Sequence, residues 1–135
     1  MGDVSYKLLI KLALEKECPD AMFRLAYRYK LGLGQEQDMP LARRLLHDAA
    51  KARHEFAMWM TAICFSDGKW GFPVDKNRAG YWYLQLWKKW LIDAGRGDTT
   101  ARRFIEIYRI DQIQSPRLRQ RLGLPPLQTP LAQSE

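Results

Sequence analysis

Between residues 20 and 97 the sequence states one pattern twice, and nothing else in the chain restricts its fold as strongly. In the first copy Ala21 is followed by Leu25-Ala26, Tyr29, Gly32, Gly34, Asp38 and Ala42. In the second, Ala57 is followed by Thr61-Ala62, Phe65, Gly68, Gly71, Asp75 and Ala79. The step from the leading Ala to the second small residue is five in both copies, from there to the aromatic three, and from the aromatic to the first Gly three. The step from Asp to Ala is four in both, and the second loop is one residue longer. A motif that recurs at this period is one supersecondary unit that stacks on its neighbour to bury an apolar face.

Each position has a physical reading. Ala21, Leu25, Ala26 and Tyr29 recur at helical spacing, with small residues where helices approach closely. Gly32 and Gly68 stand where a helix end calls for a left-handed residue. Asp38 and Asp75 stand as N-caps of a second helix, and Pro40 falls in its first turn. Ala42, Leu45, Leu46, Ala49 and Ala50 make that helix's inner stripe. Each unit is thus a helix, a glycine-bearing loop and a second helix.

The frame extends outward. Residues 4–17, with Leu9, Ile10, Ala13 and Leu14 facing inward, read as a capping second helix without its first. A third first-type helix is expected over about 99–111, with Ala101, Phe104, Ile105 and Tyr108 on one face. Ser115 caps a short helix over 116–121. The expected layout is a repeat domain over 1–122 (cap 4–17, repeats 20–54 and 55–97, half-repeat and short helix 98–122) and an extended or disordered tail over 123–135, which carries Pro125, Pro126 and Pro130.

One departure stands out. Ala42 to Ala50 is eight residues, whereas Ala79 to Ala94 is fifteen, so the second copy's second helix gains about two turns. It holds Tyr81, Trp82, Tyr83, Trp87, Trp90, Lys88 and Lys89. Tyr83, Trp87 and Trp90 are expected in the core, the long helix partly covered by the Phe104/Tyr108 helix or the proline tail, and Tyr81 and Trp82 are the candidates for a surface role.

The pattern A-x-x-x-L-A-x-x-Y-x-x-G-x-G-x-x-x-D-x-x-x-A, closed by Ala49-Ala50, resembles the Sel1-like repeat, a relative of the tetratricopeptide repeat. Residues 20–54 match it closely; residues 55–97 match it with the longer loop, the longer helix, and Thr61 where Leu is usual. The resemblance implies an all-α, short, right-handed α-α solenoid of about six helices, acting as a non-catalytic protein–protein interaction module. It further implies an adaptor, regulator or inhibitor that works sterically on a cytoplasmic protein or a membrane-complex component. A bacterial secretion or conjugation machine would suit the family.

Charge narrows the partner. Lys and Arg number 22 against 15 acidic residues, a net +7, which favours an acidic protein surface or peptide. Arg96 to Arg121 is the most basic stretch. The candidate partner-binding residues are Arg24, Tyr27 and Arg28 on the first helix, Met60 in the matching register, and Tyr81, Trp82 and Lys88 on the long helix. Guanidinium forks pair with carboxylates, and large aromatics anchor interfaces. An uncovered part of the long helix would serve a partner or a second copy of the chain. Arginines beside aromatics make a basic nucleic-acid-binding accessory protein the alternative, without any recognition motif to support it.

Chemistry is sparse. His47 and His54 lack Cys, Asp or Glu at ligand spacing, and Gly32-Leu33-Gly34 lacks the Lys and further glycine of a phosphate-binding loop. No catalytic residue, cofactor or metal is assigned. Cys18 and Cys64 read as two reduced thiols, with a bridge between them left open. The first residues do not read as a secretory signal, so a cytoplasmic location is expected. No apolar run is long enough to span a bilayer.

Overall fold

A computed structural model describes residues 2–127. Every regular element among them is helical, as the repeat pattern requires. The tail expected over 123–135 lies largely outside the described residues. The chain divides into two compact units, Met1–Tyr83 and Leu84–Glu135.

In the first unit, α1 (Gly2–Ile10) runs into a π-helical turn, Lys11–Glu15. The repeats follow as α2 (Pro19–Leu31), α3 (Met39–Lys51), α4 (Glu55–Asp67) and the start of α5 (Lys76–Gly95). Helix α2 packs on α3, and α3 on α4. The small residues do what their spacing predicts: Ala21, Ala26, Ala42, Ala49, Ala57 and Ala62 are all buried, and Leu25, Leu45, Leu46, Met58 and Phe65 fill the space between them. Burial of such side chains contributes about 1.5–3 kcal/mol each relative to exposure.

The two copies are structural equivalents down to single hydrogen bonds. Gly32 and Gly68 both end their helices in the left-handed conformation, at φ 69° and 72°. The Asp38 amide donates to the Tyr29 carbonyl at 2.9 Å, and the Asp75 amide to the Phe65 carbonyl at 2.8 Å. The Asp38 carboxylate accepts from the Leu41 amide at 3.1 Å, and the Asp75 carboxylate from the Arg78 amide at 3.0 Å. The longer second loop holds a single 3-10 turn, Lys69–Gly71, which carries Trp70 inward at a left-handed φ of 59°. A bulky residue tolerates that conformation only where its surroundings hold it. Here burial of the indole against Tyr27 holds it, at 5.1 Å between ring centroids.

Two face assignments require correction. Leu14 is 64% exposed: it lies within the π-helical turn, whose wider winding departs from α-helical register and leaves Ala13 as its buried residue. Trp82, assigned to the surface, is buried and sets its ring edge against His47 at 5.7 Å. The neighbouring Tyr81 is the exposed residue of the pair. The buried positions of α5 are Ala79, Trp82, Leu84, Leu86 and Trp90; Ala79, Trp82, Leu86 and Trp90 follow steps of three and four, while Tyr83 and Trp87 are half-buried.

In the second unit α6 (Thr99–Tyr108) is followed by a 3-10 turn, Ile110–Gln112, and by α7 (Pro116–Leu122). The end of α5 and α6 share an aromatic stack: Trp90 lies 4.8 Å from Phe104 and 5.8 Å from Tyr108, so the Phe104/Tyr108 helix covers part of the long helix, at Trp90, as expected. Asp98 and Ser115 cap α6 and α7 through bonds to the Ala101 and Leu118 amides. Arg119, one of the arginines of the most basic stretch, is 5% exposed and is a structural residue. It donates to the carbonyls of Asp111, Ile113 and Pro125 at 2.7, 3.1 and 2.7 Å. Charge in sequence pointed outward; three backbone carbonyls draw the guanidinium in.

Candidate functional site

The first helices of the two copies, α2 and α4, leave an apolar groove between them. Phe23 and Tyr27 line it from α2, four residues apart; Phe56, Trp59, Met60 and Ile63 line it from α4 at steps of three, one and three. That spacing places each set on one helix face. The groove encloses 410 Å³, within the range of pockets that take a drug-sized ligand or a few side chains. Phe56 stands 56% exposed at its rim.

An aromatic wall gives the groove its shape. His54 stacks on Phe23 at 4.6 Å, Phe23 meets Tyr27 edge-on at 5.1 Å, and Tyr27 meets Trp70 edge-on at 5.1 Å. The Lys30 ammonium lies 5.0 Å from the Trp70 ring. His54 is fixed at both nitrogens: Nδ1 accepts from the Ala57 amide at 3.2 Å, capping α4, and Nε2 lies 3.2 Å from the Asp20 carboxylate. Asp20 also accepts from Arg24 Nε at 2.8 Å. The Arg24 and His54 bonds hold the Asp20 carboxyl below its ordinary value. Burial raises the Tyr27 hydroxyl, and burial with a bond to Tyr6 pushes Tyr29 up to about 12, so both stay neutral in ordinary buffers. Burial pushes the Cys64 thiol up to about 11. Cys18 and Cys64 are both free thiols.

The groove therefore gathers only part of the sequence-derived set. Tyr27 and Met60 line it. Arg24 is turned to Asp20, and the Arg28 guanidinium reaches over the α2–α3 loop, where a Cβ on Gly34 would meet its Nη1 at 3.8 Å. Neither arginine lines the groove, whose surface is aromatic and aliphatic rather than basic. Tyr81, on the first turns of α5, stands apart from it, and Lys88 belongs to the second unit. Phe23, Phe56 and Trp59 were not singled out from sequence, though the four-residue step from Phe23 to Tyr27 was there to be read.

Among the described residues no helix is long and apolar enough to cross a membrane, and no three His, Cys, Asp or Glu side chains group as a metal site. The Sel1 repeat family model matches residues 19–54 and 56–86. No curated protein and no solved structure matches the chain.

Proposed function

The chain is a Sel1-like repeat protein, and from that premise we propose that it recognises a protein partner through the α2/α4 groove and regulates that partner sterically. Sel1 repeats mediate protein–protein interaction and are typically non-catalytic. The observation that carries the reading is the groove itself: six apolar or aromatic side chains from two successive first helices, shaped by a wall of stacked rings. A rigid, preformed apolar groove binds with little ordering loss. Aromatic and methionine side chains are the residues that anchor interfaces. The partner contributes an apolar segment, such as one face of an amphipathic helix. Acidic residues flanking that segment match the net +7 of the chain and set the rate of encounter rather than the affinity.

The test is capture of partners on immobilised wild-type protein and on Met60→Asp, in the organism that makes the chain. A protein retained by wild type, lost on Met60→Asp and retained on Arg24→Glu/Arg28→Glu is the expected result. Retention on Met60→Asp with loss on the arginine variant would move recognition to the basic face. Salt-sensitive recovery of nucleic acid instead of protein would replace the reading with the nucleic-acid alternative. The same capture identifies whether the partner belongs to a secretion or conjugation machine, and an assay of that partner with and without the protein reads activation against inhibition.

A further inference from the structure

A second pocket in the first unit has an opposite chemistry. Arg43, Arg44 and His47 of α3 and Arg78 of α5 line a cavity of 240 Å³ together with Phe65, Phe72 and Pro73, and no carboxylate lines it. Arg43 is held in place: its Nη1 donates to the Trp70 carbonyl at 3.0 Å. A Cβ on Gly71 would come within 2.5 Å of that same nitrogen, so the glycine leaves the space that the guanidinium occupies. Among the described residues its remaining donors make no further hydrogen bond or ion pair. Arg44 is exposed and has no ion-pair partner among the described residues. Arg78 lies over the Phe65 ring at 5.6 Å and reaches Asp75 at 3.4 Å, with two-thirds of its side chain exposed. One Asp75 oxygen is already taken by the α5 cap.

We propose that this pocket binds a phosphate monoester carried on an aromatic stem. Arg43 and Arg44, with Arg78 only partly engaged by Asp75 at 3.4 Å, leave the cavity more than a single positive charge, and a phosphate monoester carries about −1.5 to −2 at neutral pH where a carboxylate carries −1. Guanidinium forks match phosphoryl oxygens in geometry as well as charge. The Phe65, Phe72 and Pro73 wall gives the stem an apolar surface. The volume falls below the roughly 300 Å³ at which drug-sized sites begin, so one such group fills it. This site is separate from the α2/α4 groove and shares no lining residue with it.

The two histidines make the test clean, because His47 lines this pocket and His54 belongs to the groove. Burial, with the Lys51 and Arg78 charges, holds the His47 pKa below its ordinary value, against an opposing effect of Asp48. A bound dianion stabilises the imidazolium and raises that pKa. Phenyl phosphate is titrated into the full chain at low salt while the imidazole resonances of both histidines are followed by NMR. The expected result is a saturable shift of His47 with a rise in its pKa, an unmoved His54, and at least tenfold weaker binding of inorganic phosphate and of benzoate. Arg44→Gln/Arg78→Gln lowers the affinity at least tenfold while leaving the His54 signals in place, which shows that the variant is folded. A phosphotyrosine peptide forms the last arm: tighter binding than phenyl phosphate assigns the ester to a protein, and equal binding to a free small molecule. A His47 resonance unmoved by phenyl phosphate, binding unchanged in the arginine variant, or inorganic phosphate binding as tightly would overturn the proposal.

Discussion

Thr61 offers the sharpest test of how the repeats pack. It stands where the first copy has Leu25, at 0% exposure, and its Oγ1 is buried without a hydrogen-bond partner among the described residues. An unsatisfied buried polar group costs about 1–3 kcal/mol. Thr61→Val keeps the branching at Cβ and nearly the same helix propensity while exchanging the hydroxyl for a methyl. The substitution therefore stabilises the fold by about 1 kcal/mol, the low end of that range, since the new methyl must be seated in a packed interior. For a chain of this size that raises the melting temperature by about 3–5 °C. Thr61→Ser, which keeps the hydroxyl and deletes the methyl, destabilises by about 1 kcal/mol through lost packing. Urea unfolding followed by helical circular dichroism reads both. A Val variant no more stable than wild type would mean that the hydroxyl is satisfied and that the interface between α4 and its neighbours is packed differently from the account given.

Arg119→Ala strips donors from three carbonyls and destabilises by about 2–4 kcal/mol, read as faster limited proteolysis around residues 109–127, with Arg119→Lys recovering only part because an ammonium cannot span the same three acceptors. His47 makes stability fall on acidification. Its folded pKa is depressed below 6.5 by burial and by Lys51 and Arg78, with Arg43 and Arg44 lining the same pocket and Asp48 opposing. Its contribution is therefore present above about pH 6.5 and lost as pH falls through the lower folded value. His47→Gln flattens that slope in denaturant midpoints measured from pH 8 to pH 5, and an unchanged slope would remove His47 as its source. In thiol labelling of the folded chain one group reacts promptly and the second lags until the chain opens. The slow thiol is Cys64, buried and pushed up to about 11; Cys64→Ser removes the slow phase, and loss of the fast phase instead would contradict the burial.

The repeat was legible because its signals are local or strictly periodic. A glycine three residues after an aromatic ends a helix, an aspartate four residues before an alanine begins one, and both copies obey the same rule. The seven-residue extension also translated directly: α3 has 13 residues and α5 has 20. What failed was angular register. A step of one residue turns a helix by about 100°, which separates buried Trp82 from exposed Tyr81 and half-buried Tyr83, and aromatic content alone could not choose among them. The π-helical turn before Cys18 has no sequence mark that distinguishes it from a helix, so Leu14 was placed on the wrong face.

The candidate site shows the same division. Tyr27 and Met60 came from register, and the structure puts both in the groove. The roles of His54 as a partner of Asp20 and as a ring on Phe23 join residues more than thirty positions apart, and no spacing rule announces them. Arg119 looked like one more solvated cation until three backbone carbonyls surrounded it. Charge in a sequence reports what a residue carries, and only the fold reports what it faces.

If α2 and α4 present the recognition surface, the Met60 methyl group in their groove reports on it. With methionine methyls isotopically labelled and the captured partner added to saturation, the Met60 resonance shifts strongly while that of Met39, outside the groove, stays in place. A Met60 resonance that does not move while the partner is bound would contradict it.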